Sequence, residues 1–134
     1  MTGETNLTKL LQELRPTRNE GEFVFCLVNS LASAVELNPL CIFQEKEEVT
    51  VILPKTRADE NLLLYTVVCT WITLNVHSSL EAVGLTAAVA KALTEENISC
   101  NVVAAYYHDH IFVPIKDGER AIDVLKRLSN MGRQ

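Results

Sequence analysis

Ser78-Ser79-Leu80-Glu81 fits the S-x-x-E pattern of a helix start, in which a hydroxyl and a carboxylate satisfy backbone N–H groups reciprocally. Three residues on, Gly84 lets a ligand or a second stretch of backbone come close to that start. A helix N-terminus offers unpaired N–H groups and a partial positive charge, so it can hold a carboxylate. Asp109, expected in a turn between two strands, could hold an ammonium or guanidinium group. Together these suit a zwitterionic amino acid. A plainer reading also stands: Ser78 and Glu81 only cap the helix, and Gly84 only makes room. Asn101 alternates with Cys100 and Val102 along an expected strand. It is either a partner in a structural hydrogen bond or a ligand contact, because a buried Asn needs partners.

His77, His108 and His110 raise the question of a metal, since His108 and His110 flank Asp109 and fall on one side of an alternating strand. No fourth ligand is evident, and zinc sites carry tighter spacing signatures. The expectation is no metal and no cofactor, with the histidines tying a hairpin to the helix-entry loop. Catalytic patterns are missing from the sequence. There is no nucleophile-elbow serine, no HExxH and no phosphate-cradling loop among five glycines. A Glu81–His108 acid–base pair gains nothing from its spacing. The chemistry on offer is binding, and no enzyme is expected.

These residues need elements to position them. Leu7, Leu10, Leu11 and Leu14 predict a short helix over 5–14, ended by Pro16. Strands are predicted over 22–28, 40–44 and 48–53, with a short helix over 30–37 and one or two helical turns over 55–61. A long strand is expected over 65–77, where Ile72, Leu74 and Val76 oppose Thr73, Asn75 and His77. Leu85, Ala88, Val89, Ala92 and Leu93 give a 3.6-residue period for a helix ending near Asn97. Strands over 98–106 and 110–115 flank a turn at Tyr107-His108-Asp109. Asp117 is the expected N-cap of a last helix whose apolar face holds Ala121, Val124, Leu125 and Leu128.

The order β-α-β-β-α thus occurs twice. The halves also share text: residues 25–30 sit like 72–78, and Val49–Lys55 sits like His110–Lys116. An internal duplication follows. The composition, 48% apolar and 22% charged, supports a buried core. With 12 basic and 17 acidic side chains, the chain has a net charge of −5, the wrong sign for a nucleic-acid binder. Cys26, Cys41, Cys69 and Cys100 form no CxxC and sit in apolar runs, so buried free thiols are expected. The most apolar stretch, 62–76, is too short to span a bilayer and carries three threonines and an asparagine. A cytoplasmic protein is expected.

Two blocks carry a family resemblance: Trp71-Ile72-Thr73-Leu74-Asn75-Val76-His77-Ser78-Ser79-Leu80-Glu81-Ala82-Val83-Gly84-Leu85, and the run from Ile98 to Pro114 that includes Tyr106-Tyr107-His108-Asp109-His110. Leu14-Arg15-Pro16 with Gly21-Glu22-Phe23-Val24-Phe25-Cys26 adds an N-terminal signature. The sequence resembles short tandem ACT-domain proteins and is similar to the ACT repeats of arginine sensors and aspartate kinases. The resemblance implies an α+β, ferredoxin-like fold: tandem ACT-like βαββα units, with antiparallel sheets packed against helices. It implies an N-terminal unit over 1–64 with a shortened helix region and a C-terminal unit over 65–134. It implies a non-catalytic regulatory module that binds an amino acid or similar metabolite at an ACT unit interface. The alternative is a structural dimerisation module without ligand. The implied ligand residues are Ser79, Leu80, Val83, Gly84, Leu85, Asn101, Val102 and Asp109. A homodimer is implied, with neither a nucleic acid nor a membrane as partner.

Overall fold

The computed structural model describes residues 6–77 and 82–131. Its elements run α1 (Leu7–Gln12), β1 (Pro16–Arg18), β2 (Phe23–Val28), α2 (Leu31–Glu36), β3 (Cys41–Gln44), β4 (Val49–Pro54), α3 (Lys55–Glu60), β5 (Val68–Leu74), α4 (Leu85–Glu95), β6 (Asn101–Ala104), β7 (Asp109–Pro114), a 3₁₀ turn (Ile115–Asp117) and α5 (Gly118–Met131). Packing divides the chain into two units, Gly21–Cys69 and a larger one made of Met1–Glu20 with Thr70–Gln134. The expected sequence division, 1–64 and 65–134, keeps the first twenty residues with the N-terminal unit. By packing, residues 6–20 lie with the C-terminal part.

In the 21–69 unit the strand order is β3-β4-β2, with Val68 and Cys69 of β5 on the far side of β2. All neighbours are antiparallel. Alternation sends Val24, Cys26, Val28, Val49, Val51 and Leu53 to one face, where Ala34 and Leu37 of the α2 region and Ala58 of α3 cover them. The Ser30 side chain accepts from Ser33 N at 3.1 Å and so caps α2. The Arg57 guanidinium donates to the carbonyls of Leu37 and Asn38, which closes the other end of that helix.

In the larger unit the order is β1-β5-β7-β6, and α1, α4 and α5 cover one face. Its core joins Ile72, Leu74, Val76, Ile111 and Val113 to Leu10, Leu14, Leu85, Val89, Leu93, Ala121 and Leu125. Arg120 binds Asp117 at 2.7 Å and donates to the Glu96 carbonyl, fastening the start of α5 to the end of α4. All four cysteines are free. Burial pushes the Cys100 thiol up to about 11, so it stays protonated.

The structure corrects the sequence reading at five places. Pro16, read only as a helix stop, opens the three-residue strand β1, which is too short to show alternation. β5 begins at Val68 rather than Tyr65, whose hydroxyl instead donates to Asp59 at 2.7 Å. β6 is only four residues, within the expected 98–106. Asp117 lies in a 3₁₀ turn with its carboxylate paired to Arg120. The β6–β7 turn is closed by Ala105 N to the His108 carbonyl, so Asp109 enters the strand instead of the turn.

The register of the internal duplication also shifts by one residue. β4 and β7 both end on a proline followed directly by helical backbone, at Pro54 and Pro114. Their exposure runs in the same sequence, buried at the first, third, fourth and fifth residues. Val49 therefore corresponds to Asp109, not to His110. In a strand, such a slip exchanges the two faces.

Gly118 opens α5 against β5. A Cβ there would stand 2.9 Å from Thr70 Oγ1, a buried hydroxyl with no hydrogen-bond partner among the described residues. Gly118→Ala improves helix propensity by up to about 1 kcal/mol. We expect the clash to dominate and to lower stability by about 1–3 kcal/mol, the usual cost of overpacking. Thr70→Val removes a buried unsatisfied group, so its melting temperature should match or exceed that of the parent. Thermal unfolding by circular dichroism checks both.

Candidate functional site

Asp109 and His77 lie at one end of the larger unit's sheet. Thr73 meets His110 and Trp71 stacks on Phe112, so β7 starts beside the end of β5. From that end the chain leads through Val76 towards α4. His77 on this path meets Tyr107 of the β6–β7 turn, ring centroids 5.8 Å apart. Tyr106 packs edge-on against Tyr107, and both are exposed at the turn.

Asp109, the first residue of β7, shares the face of Ile111 and Val113, beneath the helices. It is only 8% exposed. No hydrogen bond or ion pair serves its carboxylate among the described residues. Burial pushes its pKa up, and the charges of His110 and His108 pull the other way. A nearly buried carboxylate without a partner among the described residues is costly to the fold.

The start of α4 supplies the opposite polarity. Gly84 is its N-cap, at φ 98°, a backbone conformation that favours glycine. The N-cap glycine has no side chain with which to cap the helix, and the first turn holds no acidic residue. The N-cap lies three positions after the end of the S-x-x-E pattern. The pattern itself, including Ser79 and Leu80, lies outside the described residues. Leu7 of α1 presses on Gly84, with Cδ2 3.1 Å from where a Cβ would stand. The glycine thus makes room for the protein's own side chain as well as leaving its amides open.

The other expected residues separate. Val83 is exposed beside Gly84, whereas Leu85 is buried in the core and Val102 packs half-buried against it. Asn101 is exposed and pairs with Phe112, away from the Asp109 end of β7, and it points to the face opposite that of Val102. Among the described residues, no three His, Cys, Asp or Glu side chains converge as metal ligands.

Sequence reasoning missed a network on the helix-free face. The Trp71 indole donates to His110 Nδ1 at 3.0 Å, and Thr73 Oγ1 lies 3.2 Å from the same nitrogen. The Asn19 amide donates to Thr73 Oγ1 at 2.9 Å and to the Trp71 carbonyl. The alternation of Trp71, Thr73 and His110 with apolar neighbours was the available signal; their cross-strand registry was not.

The 21–69 unit provides an internal control. The place of Asp109 is taken by Val49, buried among apolar side chains. The place of α4 is taken by six-residue α2, whose start Ser30 already caps. The fold therefore accepts an apolar residue and a closed helix start at these two positions, and the larger unit has neither.

Comparison with known proteins places this arrangement. A family model described as an ACT domain matches residues 2–70, and a second ACT-domain model matches residues 66–127. No curated protein matches the chain. The solved structure of a Vibrio cholerae protein of unknown function, described as a possible transport protein, is 43% identical, with a TM-score of 0.84, covering 92% of this chain and 95% of that one. The regulatory subunit of aspartate kinase from Thermus flavus is 9% identical with a TM-score of 0.66, covering 84% of this chain and 95% of that one. E. coli aspartokinase III, in complex with aspartate and ADP, is 16% identical with a TM-score of 0.58, covering 84% of this chain and 32% of that one. The last two likenesses speak for the fold alone.

The raised pKa of Asp109 fixes the sign of a pH effect. Above the ordinary carboxylate value of 3.8, the folded state holds the proton more tightly than the unfolded chain. Stability attributable to this group therefore falls as pH rises through the interval between the two values, and stays low above it. Asp109→Asn and Asp109→Val should unfold at higher temperatures than the parent at pH 7. Their advantage should shrink as pH falls towards 4, measured by thermal melts across that range.

Proposed function

The chain belongs to the ACT-domain family, and on that premise we propose that its larger unit binds a free amino acid or a close analogue between the start of α4 and Asp109. ACT domains are regulatory modules of the ligand-binding type, and two of them in tandem occupy most of this chain. The ligand carboxylate is received by the open amides at Gly84 and Leu85, with Val83 beside them, where the helix end favours an anion. Its ammonium pairs with Asp109 and relieves the cost of burying that carboxylate alone. The observation that carries the reading is Asp109 itself: a nearly buried carboxylate with no partner among the described residues, at a position where the duplicated unit has Val49. The protein acts without catalysis. It passes its occupancy to a partner by favouring one packing over another, which requires different ligand affinity in two states.

A second reading, a dimerisation module that needs no ligand, draws on one observation. Leu27 and Phe43 are 58% and 66% exposed, and both flank Thr50 in the register of the 21–69 sheet. Large apolar side chains side by side in the open suit an interface.

A thermal-shift screen of the twenty amino acids distinguishes the two. A ligand at 100 times its dissociation constant adds about 2.7 kcal/mol of stability. We expect at least one amino acid to do so, its des-amino and ester analogues to fail, and Asp109→Asn to lose the response while remaining folded. Because ionised Asp109 is the binding form, affinity should strengthen as pH rises through its raised pKa. A screen without shifts, alongside a dimer in light scattering that Phe43→Asp dissociates, would establish the second reading instead.

A further inference from the structure

Trp71 Nε1–H can only donate, so His110 Nδ1, which lies 3.0 Å from it, must be the accepting, unprotonated nitrogen. Thr73 reinforces the assignment. Its hydroxyl oxygen already accepts from the Asn19 amide at 2.9 Å, which leaves its own proton to point at the same His110 nitrogen, 3.2 Å away. Two donors thus converge on one lone pair. The imidazole must be neutral with its proton on Nε2, because an imidazolium has no acceptor to offer either donor.

We propose that His110 is a proton-operated latch on the helix-free face of the larger unit's sheet: neutral, it holds β5, β7 and the residue after β1 together, and a proton on Nδ1 releases it. The latch spans two strands and the residue that follows a third. Asn19, which follows β1, is bound to Thr73 and to the Trp71 carbonyl; Thr73 and Trp71 belong to β5; His110 belongs to β7. Protonation turns Nδ1 from an acceptor into a donor that faces the indole N–H, which can only donate. The Thr73 hydroxyl can reverse its role and accept, but the indole loses its partner, and the ring and the indole must separate.

The surroundings set the direction of the switch. Within the unit, the groups that meet the ring from other strands are Trp71 and Thr73 of β5 and Val103, its partner on β6, and none of them is charged. The charges that act on it come from its own strand and turn. His108 disfavours a second positive charge, Asp109 favours one, and burial disfavours it most, so the pKa lies below the usual 6.5. The latch is closed at neutral pH and opens under mild acid. It operates on the opposite face of β7 from Asp109 and needs no ligand, so it stands or falls independently of the amino-acid site.

Trp71 is the sole tryptophan of the chain, so its fluorescence reports the latch directly. The full-length protein is titrated from pH 8 to pH 4, with far-ultraviolet circular dichroism tracking the fold. We expect a one-proton change in emission, with a midpoint below 6.5, while the dichroism is still native. The change should vanish in His110→Gln, whose side-chain oxygen accepts from the indole without titrating, and persist in His77→Gln and Asp109→Asn. If His110→Gln does not fold, nitrogen-15 NMR of the histidine rings in the parent protein decides the matter through the tautomer. A neutral-pH ring carrying its proton on Nδ1, or an emission change that survives His110→Gln, overturns the proposal.

Discussion

The two-residue period of β7 is the constraint on which the larger unit's organisation rests. Ile111 and Val113 must face the helices because the core is built on them. That requirement sends Asp109 into the same layer and His110 and Phe112 to the opposite face. The strand therefore carries two kinds of polar chemistry that never meet. Asp109 lies under the helices without a partner among the described residues, and His110 lies on the opposite face with its acceptor doubly satisfied. A slip of one residue would exchange them and place two apolar side chains outside.

Much of this was legible before any coordinates. Helix α4 begins at Leu85 and its 3.6-residue period places Val89 and Leu93 in the core, as expected. The opposition of Ile72 and Leu74 to Thr73 held, as did the tandem ACT character. The failures share a cause. Asp109 was expected at a turn tip because Tyr107-His108-Asp109 reads as polar punctuation. Turn position, however, is decided by which carbonyl Ala105 N reaches, and local composition does not encode that. The same uncertainty of one residue misaligned Val49 with His110. Asn101 was legible as a strand residue but not as one whose partner is Phe112, because cross-strand register depends on residues far apart in the chain.

The duplication turns those errors into information. Two units built on one plan ought to need the same things from corresponding positions. Where β4 and β7 agree, as at Val51 and Ile111, or at Leu53 and Val113, the requirement is packing. Where they disagree, packing is satisfied by the residue of the other unit. The charge of Asp109 is therefore a departure that the fold does not require. The start of α4 departs in the same direction. Ser30 closes the shorter helix with its own hydroxyl, whereas Gly84 has no side chain with which to close the longer one.

These two departures carry more weight together than singly. An uncapped helix start alone has a packing explanation, since Gly84 also makes way for Leu7. A buried acid alone could be tolerated as an isolated cost. Both occur in the same unit, with opposite electrostatic signs, and the sister unit has closed both positions. A dipolar guest would offset the two costs at once, whereas no single packing requirement accounts for an open amide end and an unpartnered carboxylate together. Occupancy of that end of the sheet would then stabilise the larger unit selectively, as a regulatory module requires of the ligand it reads.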